Sequence, residues 1–161
     1  MLRGGNHTHA SGPDGLEPHS LRDVAEVRVL YVDTDQMGIV NNVHYLRWFE
    51  VGRAEWIRAR GYAYRDVEKS GIMLPLVEAH VRYRVPARYD DLITVAAGPT
   101  RGSAASLTFS YALYRKTDRV LLAEGWTRHA CTNLEGKVQR FPPHVLSLLG
   151  MDSTKETGRD G

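Results

Sequence analysis

The chain has 161 residues, 42% hydrophobic and 25% charged, and its 21 Lys and Arg against 19 Asp and Glu leave a formal net charge of +2, a size suited to one domain. The arginines are interspersed with acids and form no clustered basic face of the kind that neutralises phosphates, so no nucleic-acid partner is expected. One cysteine, Cys131, excludes an internal disulfide, no Cys/His cluster has zinc spacing, and no window reaches the roughly 20 apolar residues of a membrane span. A cytoplasmic protein without metal or cofactor is the expectation, since the N-terminus also lacks the apolar core of a secretory signal.

In chain order, residues 1–21 are rich in Gly, Pro, Ser and His and are expected to form a disordered tail, with His7, His9 and His19 solvated. A folded domain is expected over 22–150, and a second tail over 151–161. Val24 to Val32 reads as a first strand, broken by the run DTDQMG. From Val43 to Ile57 apolar residues fall on nearly every side of a helix, which predicts a buried one, capped by Asn41 or Asn42 and ended at Gly61. A loop with Gly71 and Pro75 follows.

Val77 to Val85 alternates, with Val77, Ala79, Val81, Tyr83 and Val85 predicted on a core and Glu78, His80, Arg82 and Arg84 opposite. Pro86 and Tyr89-Asp90-Asp91 mark a turn, and LITVAA reads as a strand ending at Gly98-Pro99. Residues 105–114 alternate again, a hairpin over Lys116-Thr117-Asp118-Arg119 leads to a last strand at about Val120 to Asn133, and Pro142-Pro143 opens a short terminal helix. The order predicts an α+β domain in which an antiparallel sheet wraps one helix. Since one helix covers one face, a second copy is expected to cover the other face or a sheet edge, giving a homodimer.

Residues 31–50 concentrate polar groups in an apolar context: Asp33 and Asp35 precede the helix, and Asn41, Asn42 and His44 lie at its start. Unpaired N–H groups at a helix N-terminus can polarise a carbonyl, and a nearby carboxylate can attack or activate water, although the same residues also serve as turn and helix caps. Cys131 reads as a small buried residue, His80 and His129 as hydrogen-bonded or solvent-facing, and Trp48, Phe49 and Trp56 as helix core. Glu50, midway along an apolar helix, is expected to be buried and to need Arg47, Arg53 or a second copy as its partner.

The run D-T-D-Q-M-G-I-V-N-N-V-H-Y-L-R-W-F-E and the later P-A-R-Y-D-D closely resemble the signature of the 4-hydroxybenzoyl-CoA thioesterase-like branch of the hot-dog acyl-CoA thioesterases, over about residues 22–146. The resemblance implies a five-stranded antiparallel sheet around one long central helix, active sites at a dimer interface, and an acyl-CoA substrate. It assigns Asp35 as nucleophile or general base, the backbone N–H of Asn42 to the thioester oxygen, and Gly38 to a tight turn beneath the acyl group. Ile39, Val40, His44 and Tyr45 would belong to the substrate pocket, while Asp33 would hold the loop. CoA phosphates would meet Arg101, Ser103, Ser106 and Arg128. The segment TRGSAAS carries one arginine where relatives of this type carry several basic residues, so Arg82 or Arg88 are further candidates. A dimer of dimers, a carrier-protein thioesterase and a non-catalytic acyl-CoA-binding protein stay open. A hot-dog dehydratase fits less well, because this loop holds Asp in place of the histidine such enzymes carry.

Overall fold

The computed structural model describes residues 21–62 and 64–151; the expected tails, with His7, His9 and His19, lie outside them apart from Leu21 and Met151. The chain runs β1 (Arg22–Arg28), α1 (Val43–Ala59), α2 (Tyr64–Lys69), β2 (Leu76–Tyr83), β3 (Leu92–Gly102), β4 (Ser106–Arg115), β5 (Leu121–Ala130) and α3 (Pro143–Leu148). All strand pairs are antiparallel, in the order β1-β3-β4-β5-β2. The expected five-stranded sheet on one long helix is present.

Alternation explains which face meets the helix. Leu107, Phe109, Tyr111 and Leu113 of β4 are all buried, and α1 lays Tyr45, Trp48, Phe49, Gly52, Trp56 and Ile57 against the sheet. Phe49 stacks on Tyr111 with ring centroids 4.3 Å apart, and Trp56 meets Phe109 edge-on at 5.5 Å. Close approach depends on two glycines. A Cβ on Gly52 would lie 2.7 Å from Val95 Cγ1, and one on Gly125 would overlap the His80 carbonyl oxygen and lie 2.9 Å from Phe49 Cε2.

Several expectations are corrected. β1 stops at Arg28 rather than Val32, because Asp33 draws Tyr31–Asp33 into a single 3-10 turn, its Oδ2 accepting the Leu30 N–H at 2.9 Å. β3 continues through Gly98-Pro99 to Gly102 with a register shift between Pro99 and Arg101; β1 pairs with β3 no further than Ala97, so a residue without an N–H is accommodated there. β5 ends at Ala130 rather than Asn133. The short helix α2, hidden in what reads as loop, buries Val67. Met151, assigned to the second tail, packs over Gly102.

The helix is buried on one side only: Val43 and Leu46 are exposed, and so is Glu50, contrary to expectation. Arg47 pairs with Asp33, and Arg53 donates to Tyr111. The larger departure is β2, whose Val77 and Tyr83, predicted to face a core, are 55% and 47% exposed. β2 is an edge strand that α1 covers only in part: Tyr83 meets Tyr45 edge-on at 5.0 Å and Val81 packs on the core, while Val77 and much of Tyr83 meet solvent in a single chain.

Candidate active site

The loop before α1 is a small hairpin. Thr34 and Val40 form an antiparallel bridge, Asp35 N–H donates to Ile39 C=O at 2.9 Å, and Gly38 N–H returns to Asp35 C=O at 2.9 Å. Gly38 adopts φ +73°, and a Cβ there would meet nothing within 4 Å, so its requirement is conformational rather than steric. Val40 N–H donates to Ala87 C=O, and the Ala87 N–H donates to the Tyr45 phenol oxygen at 3.1 Å, which ties the hairpin and the helix to the P-A-R-Y-D-D connection. Burial pushes the Tyr45 phenol up, keeping it neutral. Val40 and Tyr45, assigned to the pocket by resemblance, are each 2% exposed and form the floor beneath the loop. Ile39 and His44 are half-buried.

The two acids of D-T-D divide their work. Asp33 is buried: Oδ2 accepts from Leu30, Oδ1 from Arg47 Nη2 at 2.9 Å, His44 Nδ1 lies 3.5 Å from Oδ1, and the Asp33 carbonyl accepts the Asn41 N–H. It joins both ends of the hairpin to the first turn of α1. Asp35, half-buried at the hairpin tip, uses Oδ1 to accept the Met37 N–H at 2.8 Å, and its Oδ2 has no partner among the described residues.

At the helix start Asn41 supplies the cap, its Oδ1 accepting the Val43 N–H at 3.2 Å and its carbonyl the His44 N–H at 3.1 Å. Asn42 is already helical, at φ −51° and ψ −34°, and its carbonyl accepts from the Tyr83 hydroxyl at 3.1 Å. Among the described residues the Asn42 N–H has no acceptor, while those of Asn41, Val43 and His44 are all used. A carboxylate with one unengaged oxygen thus shares a hairpin–helix unit with one unengaged helix-start N–H. Leu30, Tyr31, Val32 and Met37 surround the unit with exposed apolar surface.

The residues assigned to CoA lie elsewhere. Ser103 and Ser106 share a hydroxyl–hydroxyl bond of 2.8 Å in the β3–β4 turn; the Arg101 side chain lies outside the described residues, and Arg128 pairs with Glu78. The Asp35 hairpin is anchored near the start of β3, through Val29 N–H on Asp91 C=O and Val40 N–H on Ala87 C=O, whereas this turn follows its end. Eleven residues of strand separate them, about 35 Å. One chain does not bring Asp35 and the β3–β4 turn together.

Neither the Tyr83 bond to Asn42 nor an interior polar chain was predicted. In that chain Arg53 Nη1 donates to Tyr111 Oη at 3.2 Å, Tyr111 bonds Thr127 at 2.7 Å, Thr127 bonds His129 Nε2 at 2.9 Å, and His129 Nδ1 lies 3.1 Å from Leu74 C=O. The available signal was period-two spacing, which places Thr127 and His129 on the same face of β5 as Ala123. Cys131 is buried and its thiol is pushed up by burial, as suits a packing residue. His80 stacks on Trp126 with centroids 5.8 Å apart. No cluster able to hold a metal occurs among the described residues, and no helix there is long and apolar enough to cross a membrane.

Residues 29–149 match the family model of the thioesterase-like superfamily. The chain is 31% identical over 126 residues to the acyl-CoA thioesterase YbgC of Haemophilus influenzae, covering 76% of this chain and 90% of that protein. Among solved structures it is similar to the Thermus thermophilus protein TT1821, at 33% identity and TM-score 0.74 over 81% of this chain and 99% of that one. It is also similar to Slr0204 of Synechocystis, a 1,4-dihydroxy-2-naphthoyl-CoA thioesterase, at 26% identity and TM-score 0.72 over 78% and 93% of the two chains. With the sheet order, the long helix and the hairpin signature already in place, these matches settle the relationship: the chain belongs to the thioesterase-like superfamily and carries its hot-dog fold.

Proposed function

We propose that the protein is an acyl-CoA thioesterase that hydrolyses a thioester to the free acid and CoA at the Asp35–Asn42 unit. The observation that carries this reading is the coexistence of an unengaged Asp35 Oδ2 and an unengaged Asn42 N–H within one rigid hairpin–helix unit. The Asn42 N–H, with the helix-start partial charge behind it, stabilises the oxyanion that forms on the thioester oxygen. Asp35 then acts in one of two ways. As a base it takes a proton from water, whose oxygen bonds to the carbonyl carbon as the C–S bond breaks, and the proton ends on the departing sulfur. As a nucleophile its oxygen bonds to the carbonyl carbon as the C–S bond breaks and CoA leaves as the thiolate; water then hydrolyses the mixed anhydride to the free acid and the Asp35 carboxylate, and the proton released ends on the thiolate. Asp33 holds the loop, Gly38 supplies its turn, and Ile39 and His44 line the approach to the carbonyl over the floor of Val40 and Tyr45.

The proposal includes a homodimer formed along β2. The opposite edge, β1, is armoured with Arg22, Asp23, Glu26 and Arg28, and its acids are paired with Arg119 and Lys116, whereas β2 exposes Leu76, Val77 and Tyr83. Tyr83, at one end of β2, touches Asn42, while Leu76, at the other, faces His129, which in turn faces Leu107 beside Ser106. Two copies meeting antiparallel along β2 would therefore carry the β3–β4 turn of one, with Arg101, Ser103 and Ser106, to the Asp35 end of the other. That arrangement supplies CoA contacts that a single chain holds on the wrong side, and Arg128 lies on the neighbouring strand.

Thiol release from a panel of acyl-CoAs, in competition with the matching acyl-carrier proteins, tests the reading. We expect stoichiometric thiol release from acyl-CoA that acyl-carrier protein does not suppress. Tight acyl-CoA binding without thiol release would contradict it in favour of a binding protein, and suppression by acyl-carrier protein would transfer the activity to that substrate.

A further inference from the structure

The interior chain from Arg53 to Leu74 has a single proton arrangement at neutral pH. His129 Nδ1 faces a carbonyl and must carry the hydrogen, so Nε2 accepts. Thr127 then spends its hydroxyl hydrogen on Nε2, Tyr111 spends its own on Thr127, and the Tyr111 oxygen accepts from Arg53 Nη1. The three neutral members have committed their hydrogens, and the chain ends on a guanidinium.

Among the described residues that guanidinium is without an anion. Arg53 is half-buried, its Nε is enclosed and lacks an acceptor, and among the described residues Nη2 donates to nothing and no carboxylate pairs with it. Glu50, three residues earlier and exposed, makes no ion pair with it. A phenol satisfies one hydrogen without neutralising the charge, and an uncompensated cation in such surroundings is costly. Its field is felt nearby: after burial itself, Arg53 is the next cause holding His129 down at about 4.

Arg53 also has a defined relation to the Asn42 N–H. Eleven residues separate them, about three turns and about 16 Å along the axis, which returns Arg53 to nearly the same face of α1 as Asn42. Helical side chains lean toward the N-terminus, shortening the gap to about 12 Å. Leu46, 39% exposed, lies between the two on that face and offers apolar surface.

We infer that Arg53 anchors a carboxylate at the far end of the acyl group, so that the preferred substrates are ω-carboxyacyl-CoA thioesters of about eight to ten carbons, with methylenes running along Leu46. This rests on the thioesterase reading of the Asp35–Asn42 unit and adds to it the chemistry of the distal acyl end. A charged pair in a partly desolvated site discriminates strongly against an uncharged analogue, because omitting the anion leaves the cation unpaired.

The test compares decanedioyl-CoA with decanoyl-CoA, by kcat/KM and by equilibrium binding, for the wild type, Arg53→Met and Arg53→Lys, with thermal midpoints to verify folding. Wild type should favour the dioic thioester by about 10- to 100-fold, Arg53→Met should bring the ratio to within about 2-fold, and Arg53→Lys should keep an intermediate preference. A wild type that does not discriminate, or a preference that survives Arg53→Met, overturns the inference. Should Arg53→Met fail to fold, the wild-type ratio and Arg53→Lys decide it. Absence of hydrolysis of every acyl-CoA would instead sink the thioesterase reading, and the binding ratio would still judge Arg53.

Discussion

Two aspartates two residues apart show how environment separates roles that residue type cannot. Asp33 is spent on Leu30, Arg47 and His44, and Asp35 keeps one oxygen open because the hairpin tip offers it one N–H. The sequence made the D-T-D run conspicuous and its resemblance ranked the two acids, but it misjudged Glu50, because a helix apolar most of the way round is buried only where the sheet covers it. His129 was legible as a hydrogen-bonded or solvent-facing residue and not as the end of a buried polar chain, since the other members of that chain come from α1, β4, β5 and the residue before Pro75. Burial first and Arg53 second push its pKa down to about 4, against about 6.5 in an unfolded chain. The unfolded state therefore binds the proton more readily between these values, and stability is complete above about pH 6.5 and falls as pH drops toward 4. The loss from this group is on the order of 3 kcal/mol. Chemical denaturation at stepped pH should show that slope in the wild type and a flatter one in His129→Gln; equal slopes would contradict the neutral buried imidazole.

At the scale of elements, strong periodicity carried the reading and weak local signals failed. The alternation of β4 and the position of α1 were legible because each buries a complete face. The alternation of β2 was equally clear and its burial was not, because pattern gives the face of a strand and not its place in the sheet. The six-residue α2 was missed since one buried side chain, Val67, has no period. The attachment of β2 rests on Gly125, where any side chain would displace the His80 backbone and Phe49. Gly125→Ala should lower stability by about 2–3 kcal/mol and weaken the proposed β2-paired dimer, as β2 tilts off β5. Sedimentation over a concentration series would show a shift toward monomer. A variant that remains as dimeric as the wild type would show that β2 is not the paired edge.

For the whole molecule, the Asp35 hairpin and the β3–β4 turn lie at opposite ends of β3, a placement set by strand register that no sequence pattern displays. The near-neutral charge suits this arrangement. Several cations are already paired with acids, as in Arg119 with Asp23, Arg115 with Asp118 and Lys116 with Glu26, so the proposed CoA contacts fall to a few residues rather than to a basic surface. In the proposed mechanism Asp35 carries the hydrolysis while Asp33 holds the scaffold. The direct measurement is thiol release by Asp35→Asn and Asp33→Asn beside the wild type, with thermal midpoints recorded for each. Asp35→Asn should lose at least about 10³-fold in kcat with its midpoint unchanged, while Asp33→Asn should lose stability and stay within about tenfold in kcat. An Asp35→Asn protein that turns over within tenfold of the wild type would contradict it.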